Sequence, residues 1–277
     1  MVIPLYKHSK SITMTIFSKE EILLQVKDVN LSYEKKPILR DINLTVRNIT
    51  RPGMQQGQVI SLVGRSGIGK TQLFRVLAGL QQPASGEVLI REKKKVKAGD
   101  MGVIFQHYYL FEWRTIQTSL MQAASRNPLL KGKEKETIRA YAENFNLIEH
   151  LHKYPQQLSG GQRQRVSIIQ QLLKGSDFLL LDEPFSGLDV IVLDKIVKLL
   201  LQVSTSDELK TLIIVSHDIE TATAISDTVF ILGQEEGKAG STIVREIDLI
   251  ERDLAWQENI MEEKRFRETI EEIKRLL

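Results

Sequence analysis

The sequence predicts an α/β protein built around a mainly parallel sheet, and three observations carry that expectation. Short apolar runs at Val59–Val63, Phe178–Leu181 and Leu212–Val215 have the composition of strands buried on both faces. Segments of helical character lie between them in the chain, and strands alternating with helices imply parallel neighbours. Each run also gives way to polar or glycine residues at its C-terminal end, where ligands of such sheets sit.

The elements follow in chain order. Residues Met1–Lys19 are interrupted by Lys7, His8 and Lys10, so they lack the continuous apolar core of a secretory leader. They are expected to form a poorly ordered extension ending near residue 20, with Met14 as an alternative start. Ile22–Val29 and Ile38–Val46 mix apolar and polar residues at strand spacing on either side of a Tyr33–Pro37 turn. Helical character appears over Gln72–Gly79, after the first buried strand. Arg91–Lys97 is the most basic stretch and has no interleaved aromatic residue, which reads as a solvated hairpin or loop; contact with anionic lipid or a partner is the alternative. From about Ile116 to Leu173 the pattern is helical, punctuated by Pro128 and Pro155. Gly233, Gly237 and Gly240 mark a passage into a charged C-terminal helix over about Leu249–Leu277. There Phe266, Ile270, Ile273 and Leu277 recur on one face, expected to dock on the chain's own core, with dimerisation as the alternative. The expected organisation is an extension (1–20), a nucleotide-binding domain (21–240) with a helical part at about 107–175, and a helical appendage (241–277).

Composition narrows the class. Of 277 residues, 42% are hydrophobic and 26% charged, as in ordinary soluble domains, and the net charge of +3 is too small to argue for nucleic acid. The absence of cysteine excludes disulfides and thiolate metal sites. No stretch approaches the roughly 18 apolar residues that cross a bilayer, and a cytoplasmic location is expected.

Gly64-Arg65-Ser66-Gly67-Ile68-Gly69-Lys70-Thr71 fits the pattern G-x-x-x-x-G-K-S/T between a strand and a helix. Glycines let backbone N–H groups curl around phosphates, the following helix (entered at Gln72) presents its positive end, Lys70 adds a charge, and the Thr71 hydroxyl suits Mg²⁺. Average residue usage produces such a match by chance in roughly one chain of this length in a hundred. The pattern points to a nucleoside triphosphate. Farther on, the strand Phe178–Leu181 delivers Asp182 and Glu183 at its end. One carboxylate there suits the water shell of Mg²⁺, and its neighbour can deprotonate an attacking water.

Leu158-Ser159-Gly160-Gly161-Gln162, continuing as Arg163-Gln164-Arg165-Val166, narrows the class further. Taken alone, Ser159 and the glycines are a helix N-cap and turn, and a helix N-terminus with a serine hydroxyl is an anion site. With this pentapeptide the sequence resembles the ATP-binding-cassette (ABC) ATPases over about Ile22–Leu232, in the family's motif order. The resemblance implies a P-loop fold with a mainly parallel core sheet, an antiparallel β subdomain and an inserted helical subdomain. It implies two copies packed head to tail, each Ser159–Gln162 segment closing the ATP site of the other. It further implies Tyr33 stacked on adenine, Gln106 reaching Mg²⁺, and Ser186-Gly187-Leu188-Asp189 crossing the dimer interface. Glu183 would be the catalytic base, with His217 sensing the γ-phosphate and positioning the water.

Within that family, Phe105–Thr115 and Ser216-His217-Asp218-Ile219-Glu220 are similar to importer ATPases of the nitrate/sulfonate/taurine type. The partners implied are integral membrane permease subunits that hold the chain at the inner face of the membrane, with a solute-binding protein if transport is inward. Four aromatics in one segment (Tyr108, Tyr109, Phe111, Trp113) suggest a socket for such a partner. Departures are also visible. Asn48–Gln56 lengthens a turn that is usually tight, His107 replaces a small or acidic residue, Ile169-Gln170-Gln171 stands where Ala-Arg-Ala is usual, and Lys174-Gly175-Ser176 lacks the usual proline. The alternatives are an exporter ATPase and a non-transport ABC ATPase of repair or ribosome-associated type. The long coiled-coil insertions, zinc motifs and tandem cassettes of the non-transport proteins are absent.

Overall fold

Period-two alternation builds the first element of the fold. In a computed structural model that describes residues 17–50, 57–185, 211–255, 257 and 259–277, β1 (Ser18–Tyr33) turns at Glu34 and Lys35 into β2 (Lys36–Thr50). Both turn residues have positive φ (48° and 66°), the mirror-image turn whose twist suits a tight hairpin. Leu24, Val26, Val29 and Leu31 point inward. At the bulges where the register shifts, the Asp28 backbone N–H donates to Asn43 Oδ1 and Asn43 Nδ2 to Asp28 Oδ1, and the Asp41 N–H donates to Asn30 Oδ1 at 3.0 Å. β4 (Ser85–Ile90) and β5 (Lys94–Lys95) complete a four-stranded antiparallel sheet in the order β2-β1-β4-β5. The basic run Arg91–Lys97 is the β4–β5 hairpin, with Lys94 paired to Asp100 and Lys95 to Glu87.

The second sheet has six described strands in the order β10-β9-β3-β8-β7-β6. They are β3 (Gln58–Val63), β6 (Gly102–Ile104), β7 (Phe178–Asp182), β8 (Thr211–Ser216), β9 (Thr228–Gly233) and β10 (Thr242–Asp248). All neighbours are parallel except β9 and β10. The apolar runs are buried on both faces: Val59, Leu179, Leu212 and Val229 join one hydrophobic core, and Ile60, Leu180, Ile213 and Phe230 the other. Helix α1 (Lys70–Leu77) and the antiparallel sheet cover the second core. The first core lies under α2 (Ile116–Ala124), α3 (Glu134–Asn144), α4 (Gly160–Lys174), α5 (Ile219–Ala224) and α6 (Lys264–Leu276). Pro128 and Pro155 each open a short 3-10 turn, so the long helical stretch is three α-helices.

Three sequence expectations are corrected here. Ser18–Glu20, expected in a poorly ordered extension, are the start of β1. The supposed loop Asn48–Gln56 begins as strand, with Ser18 opposite Thr50 and Lys19 opposite Ile49; residues 51–56 lie outside the described residues. The cause is long-range: Ile49 is buried, and Lys19 reaches across to Asp248 and Glu251, tying the far end of the hairpin to the other sheet. Nor is the appendage from residue 241 helical throughout. Thr242–Asp248 turn back as β10, antiparallel to β9, because Gly237 and Gly240 supply positive φ and Ile243, Val244 and Ile247 are β-branched. Only Lys264–Leu276 form the final α-helix.

The apolar face of α6 does dock on the core. Phe266, Ile270 and Ile273 are buried, Arg252 grips Glu272, and Lys274 bonds to Glu220 on α5. Phe266→Ala is expected to lower unfolding stability by about 3 kcal/mol through cavity formation, read as a shift in urea midpoint. An unchanged midpoint would mean that this face adds nothing to the fold.

Candidate nucleotide site

The register of the six-stranded sheet brings the motifs together. Val63 pairs with Ser216, Asp182 with Val215, and Ile104 with Leu181, so four adjacent parallel strands end nearly level. Gly64, His217, Glu183 and Gln106 therefore follow at one edge of the sheet, where open α/β sheets place ligands.

From β3 the chain enters the glycine loop. A Cβ at Gly64 would stand 2.8 Å from the Leu232 carbonyl oxygen, so only glycine fits there. Gly67 and Gly69 have φ of 80° and 102°, conformations that other residues resist. Gly69 is the N-cap of α1 and carries no capping side chain, and the Gln72 N–H bonds the Gly69 carbonyl at 3.0 Å, which leaves the N–H groups of Lys70 and Thr71 for a ligand. Arg65 and Ser66 are exposed on the loop, with Ile68 partly buried behind them. Thr71 is exposed in the first turn of α1, and Gln72 accepts a 2.9 Å bond from the Tyr33 hydroxyl. Tyr33, which also reaches Gln81, is thus fixed at the side of the loop with its ring partly exposed.

Lys70 is almost fully buried. Its Nζ donates to the Gly64 and Arg65 carbonyls at 2.9 and 3.1 Å and lies 3.7 Å from Glu183 Oε1. Burial lowers the ammonium pKa, and the charges of Glu183 and Asp182 oppose that shift.

Glu183 has φ of 50°, a strained backbone for a residue with a side chain, stabilised by its N–H bond to the Val215 carbonyl. Its Oε2 collects three donors: the Ser216 hydroxyl at 3.3 Å, the His217 N–H at 3.1 Å and His217 Nδ1 at 2.7 Å. A carboxylate only accepts, so Nδ1 carries the proton. Oε1 is left on the side of Lys70. This is the arrangement of a base whose one oxygen is fixed and whose other is available.

Asp182 ends β7 with its Oδ1 buried and without a hydrogen-bond partner. Burial, then the charge of Glu183, pushes its carboxyl up to about 6, against the pull of Lys70 and Arg75. Such an orphaned oxygen is costly unless a cation meets it. No cluster of three or more metal-ligating side chains occurs among the described residues. A hard cation here would use one carboxylate, neutral oxygens such as Thr71 and Gln106, and the oxygens of a ligand, as Mg²⁺ does. The donor set fits. Gln106 itself is exposed two residues beyond β6.

Ser159–Gln162 belong to another surface, at the start of α4. Ser159 is the N-cap, and with Gln162 it forms a reciprocal capping box: Gln162 N–H donates to Ser159 Oγ and Ser159 N–H to Gln162 Oε1. Gly160 is open, with nothing within 4 Å of an added Cβ, and Gly161 is partly buried. Asp189, with Ser186–Leu188, lies outside the described residues. The sequence reading assigned no role to Ser216, which ties Glu183 to the turn after β8, or to Gln164. The buried Gln164 amide donates to the Pro184 carbonyl at 3.2 Å, linking α4 to the residue after Glu183. Both residues sit inside quoted motifs, but nothing in a lone sequence assigns their bonds.

The segment Phe105–Thr115 is notably apolar at its surface. Tyr109 and Trp113 are 75% and 72% exposed, Phe111 is 43% exposed, and Tyr108 packs partly against the core. Among the described residues, no helix is long and apolar enough to cross a membrane.

Comparison with known proteins agrees with this geometry. A family model described as ABC transporter matches residues 48–186. An uncharacterized ABC transporter ATP-binding protein of Bacillus subtilis, YtlC, is 33% identical over 84% of this chain and 81% of its own. The aliphatic sulfonates import ATP-binding protein SsuB of Zymomonas mobilis is 32% identical over 83% of this chain and 88% of its own. The nitrate import ATP-binding protein NrtD of Synechocystis is 31% identical over 82% of each. Among solved structures, cbiO1 of Clostridium perfringens, part of the ABC transporter complex cbiONQ, superposes with a TM-score of 0.69 at 25% identity, covering 84% of this chain and 91% of that one. With the phosphate loop, the paired carboxylates and the capped signature helix on one scaffold, the chain belongs to the ABC transporter family, as one of its ATP-hydrolysing subunits.

Proposed function

We propose that this chain powers a membrane importer of a small solute, and that two copies close head to tail on ATP. The observation that carries the hydrolytic part is the convergence of Lys70, Glu183 and His217: a buried ammonium lies 3.7 Å from a carboxylate whose other oxygen is fixed by the histidine. In this reading Tyr33 stacks on adenine, while Gly64–Gln72 and Lys70 hold the phosphates. Glu183 Oε1 takes the proton of the attacking water, and His217 and Ser216 keep the carboxylate from turning away. Asp182, Thr71 and Gln106 would hold Mg²⁺, which when bound neutralises phosphate charge. At the α4 N-terminus Ser159 and Gly160 are exposed, and nothing stands within 4 Å of a Cβ added at Gly160, so this anion-suited surface is open to a second copy. In this reading the Ser159–Gln162 segment of that copy completes the site and its Asp189 segment lines the contact.

Import is supported by the relatives named for sulfonate and nitrate uptake. A permease partner is supported by the exposed Tyr109, Phe111 and Trp113, an apolar surface that is costly to leave in water. The subunit would then work at the inner face of the membrane, with a solute-binding protein delivering cargo to the permease. The double change Tyr109→Ala, Phe111→Ala is expected to weaken co-purification with an integral membrane protein by about tenfold or more, while ATPase activity of the free subunit stays near wild type. Membrane pull-downs that return ribosomal or repair proteins, and no polytopic protein, would favour a non-transport ATPase.

A further inference from the structure

The signature segment is held from outside the motif, by a residue twelve positions upstream. Gln162 spends its side-chain oxygen on the Ser159 N–H at 2.9 Å, which turns its amide NH₂ toward His150, with Nε2 at 2.9 Å. An amide NH₂ only donates, so Nε2 must accept, and the imidazole is neutral with its proton on Nδ1. His150 ends a 3-10 turn, Ile148–His150, where its N–H bonds to the Leu147 carbonyl and its own carbonyl takes the Lys153 N–H. Its main chain is therefore fixed by backbone bonds, while Nδ1 is buried without a hydrogen-bond partner, so Gln162 supplies the ring's hydrogen bond. Burial, then the nearby charges of Lys153, Arg165 and His152, lowers its pKa against the opposing effect of Glu149, which favours the neutral form.

We propose that His150 is a positioning residue for ATP-driven closure: as a neutral acceptor it locks the Gln162 amide, and the locked amide keeps the Ser159 N–H occupied and the Ser159 hydroxyl aimed outward. The chemistry follows from the capping box. Ser159 Oγ accepts the Gln162 N–H, so its own hydrogen is left to donate to an anion, along with the N–H groups of Gly160 and Gly161. A Gln162 side chain freed from His150 can rotate off the cap, returning the Ser159 N–H to water and loosening the hydroxyl. Gln162 thus serves the site through the cap. This proposal rests on the reading that Ser159–Gln162 meets the phosphate of a second copy.

The test uses the full chain in the Glu183→Gln background, where closure is read as an ATP-dependent dimer by size exclusion. Adding His150→Phe keeps the bulk and removes the acceptor; adding His150→Gln restores an acceptor near the Nε2 position. The phenylalanine variant is expected to need about tenfold more ATP-Mg²⁺ for half-closure, the loss of a helix cap and one hydrogen bond. The glutamine variant should recover most of that loss. Nucleotide binding by the single chain should not change in either, and thermal melting should fall by no more than about 2–4 °C. His150→Ala provides the same comparison if the phenylalanine does not fit. Equal closure in all variants overturns the proposal, as does failure of His150→Gln to rescue. If the Glu183→Gln parent itself fails to close, the reading of two-copy closure falls, and this proposal with it.

Discussion

Glu183→Gln is expected to lower steady-state ATP hydrolysis by at least about a hundredfold, the size of a general-base contribution, while leaving the fold and nucleotide binding in place. The local geometry explains why the swap is mild structurally and severe chemically. The Ser216 hydroxyl, the His217 N–H and His217 Nδ1 all converge on Oε2, and a carboxamide oxygen in that place satisfies them equally well. The NH₂ group then occupies the Oε1 position, which faces Lys70 and, in the proposed reaction, the water. An NH₂ group cannot take a proton. With turnover stopped, ATP-Mg²⁺ should hold two copies together, so the variant should elute as a dimer with nucleotide and as a monomer without it. Wild-type turnover in this variant would remove Glu183 from its role as base.

Lys70→Ala should act earlier, on binding. The ammonium is buried and donates to two loop carbonyls. Its removal takes away a charge-assisted bond to phosphate and one that shapes the loop, expected to cost about 3 kcal/mol, or about a hundredfold in affinity. Labelled-ATP binding by the purified variant measures this directly, and wild-type affinity would overturn the phosphate-cradle assignment. Because closure needs bound nucleotide, adding Lys70→Ala to Glu183→Gln should also abolish the ATP-dependent dimer.

Much of this protein was legible from sequence, because the signals were local. The runs Phe178–Leu181 and Leu212–Val215 are apolar at every position, and Val59–Val63 at every position but Ser61, a pattern that suits a parallel sheet covered on both faces. Gly64–Thr71 announces its chemistry because a turn that wraps phosphate needs glycine at fixed intervals, and Leu158–Gln162 reads as a capped helix start from residue types alone. The face of α6 was visible in the spacing of Phe266, Ile270 and Ile273.

What the sequence misplaced or left silent depended on distant partners. Ser18–Glu20 and Asn48–Thr50 look like loop because neither has a strand pattern alone; each is ordered by the other, and by Lys19 reaching Asp248. Thr242–Asp248 fall within the appendage expected from residue 241, after a glycine-marked passage, whereas pairing with the edge of β9 makes them a strand. At the site, sequence named Glu183 and His217 as residue types in order, but the level ends of β7 and β8 put the imidazole on the carboxylate and strained Glu183 into positive φ. The bond from His150 to Gln162 was invisible for the same reason. Hydrogen bonds between side chains depend on where whole elements pack, and a lone sequence records residue types without recording that packing.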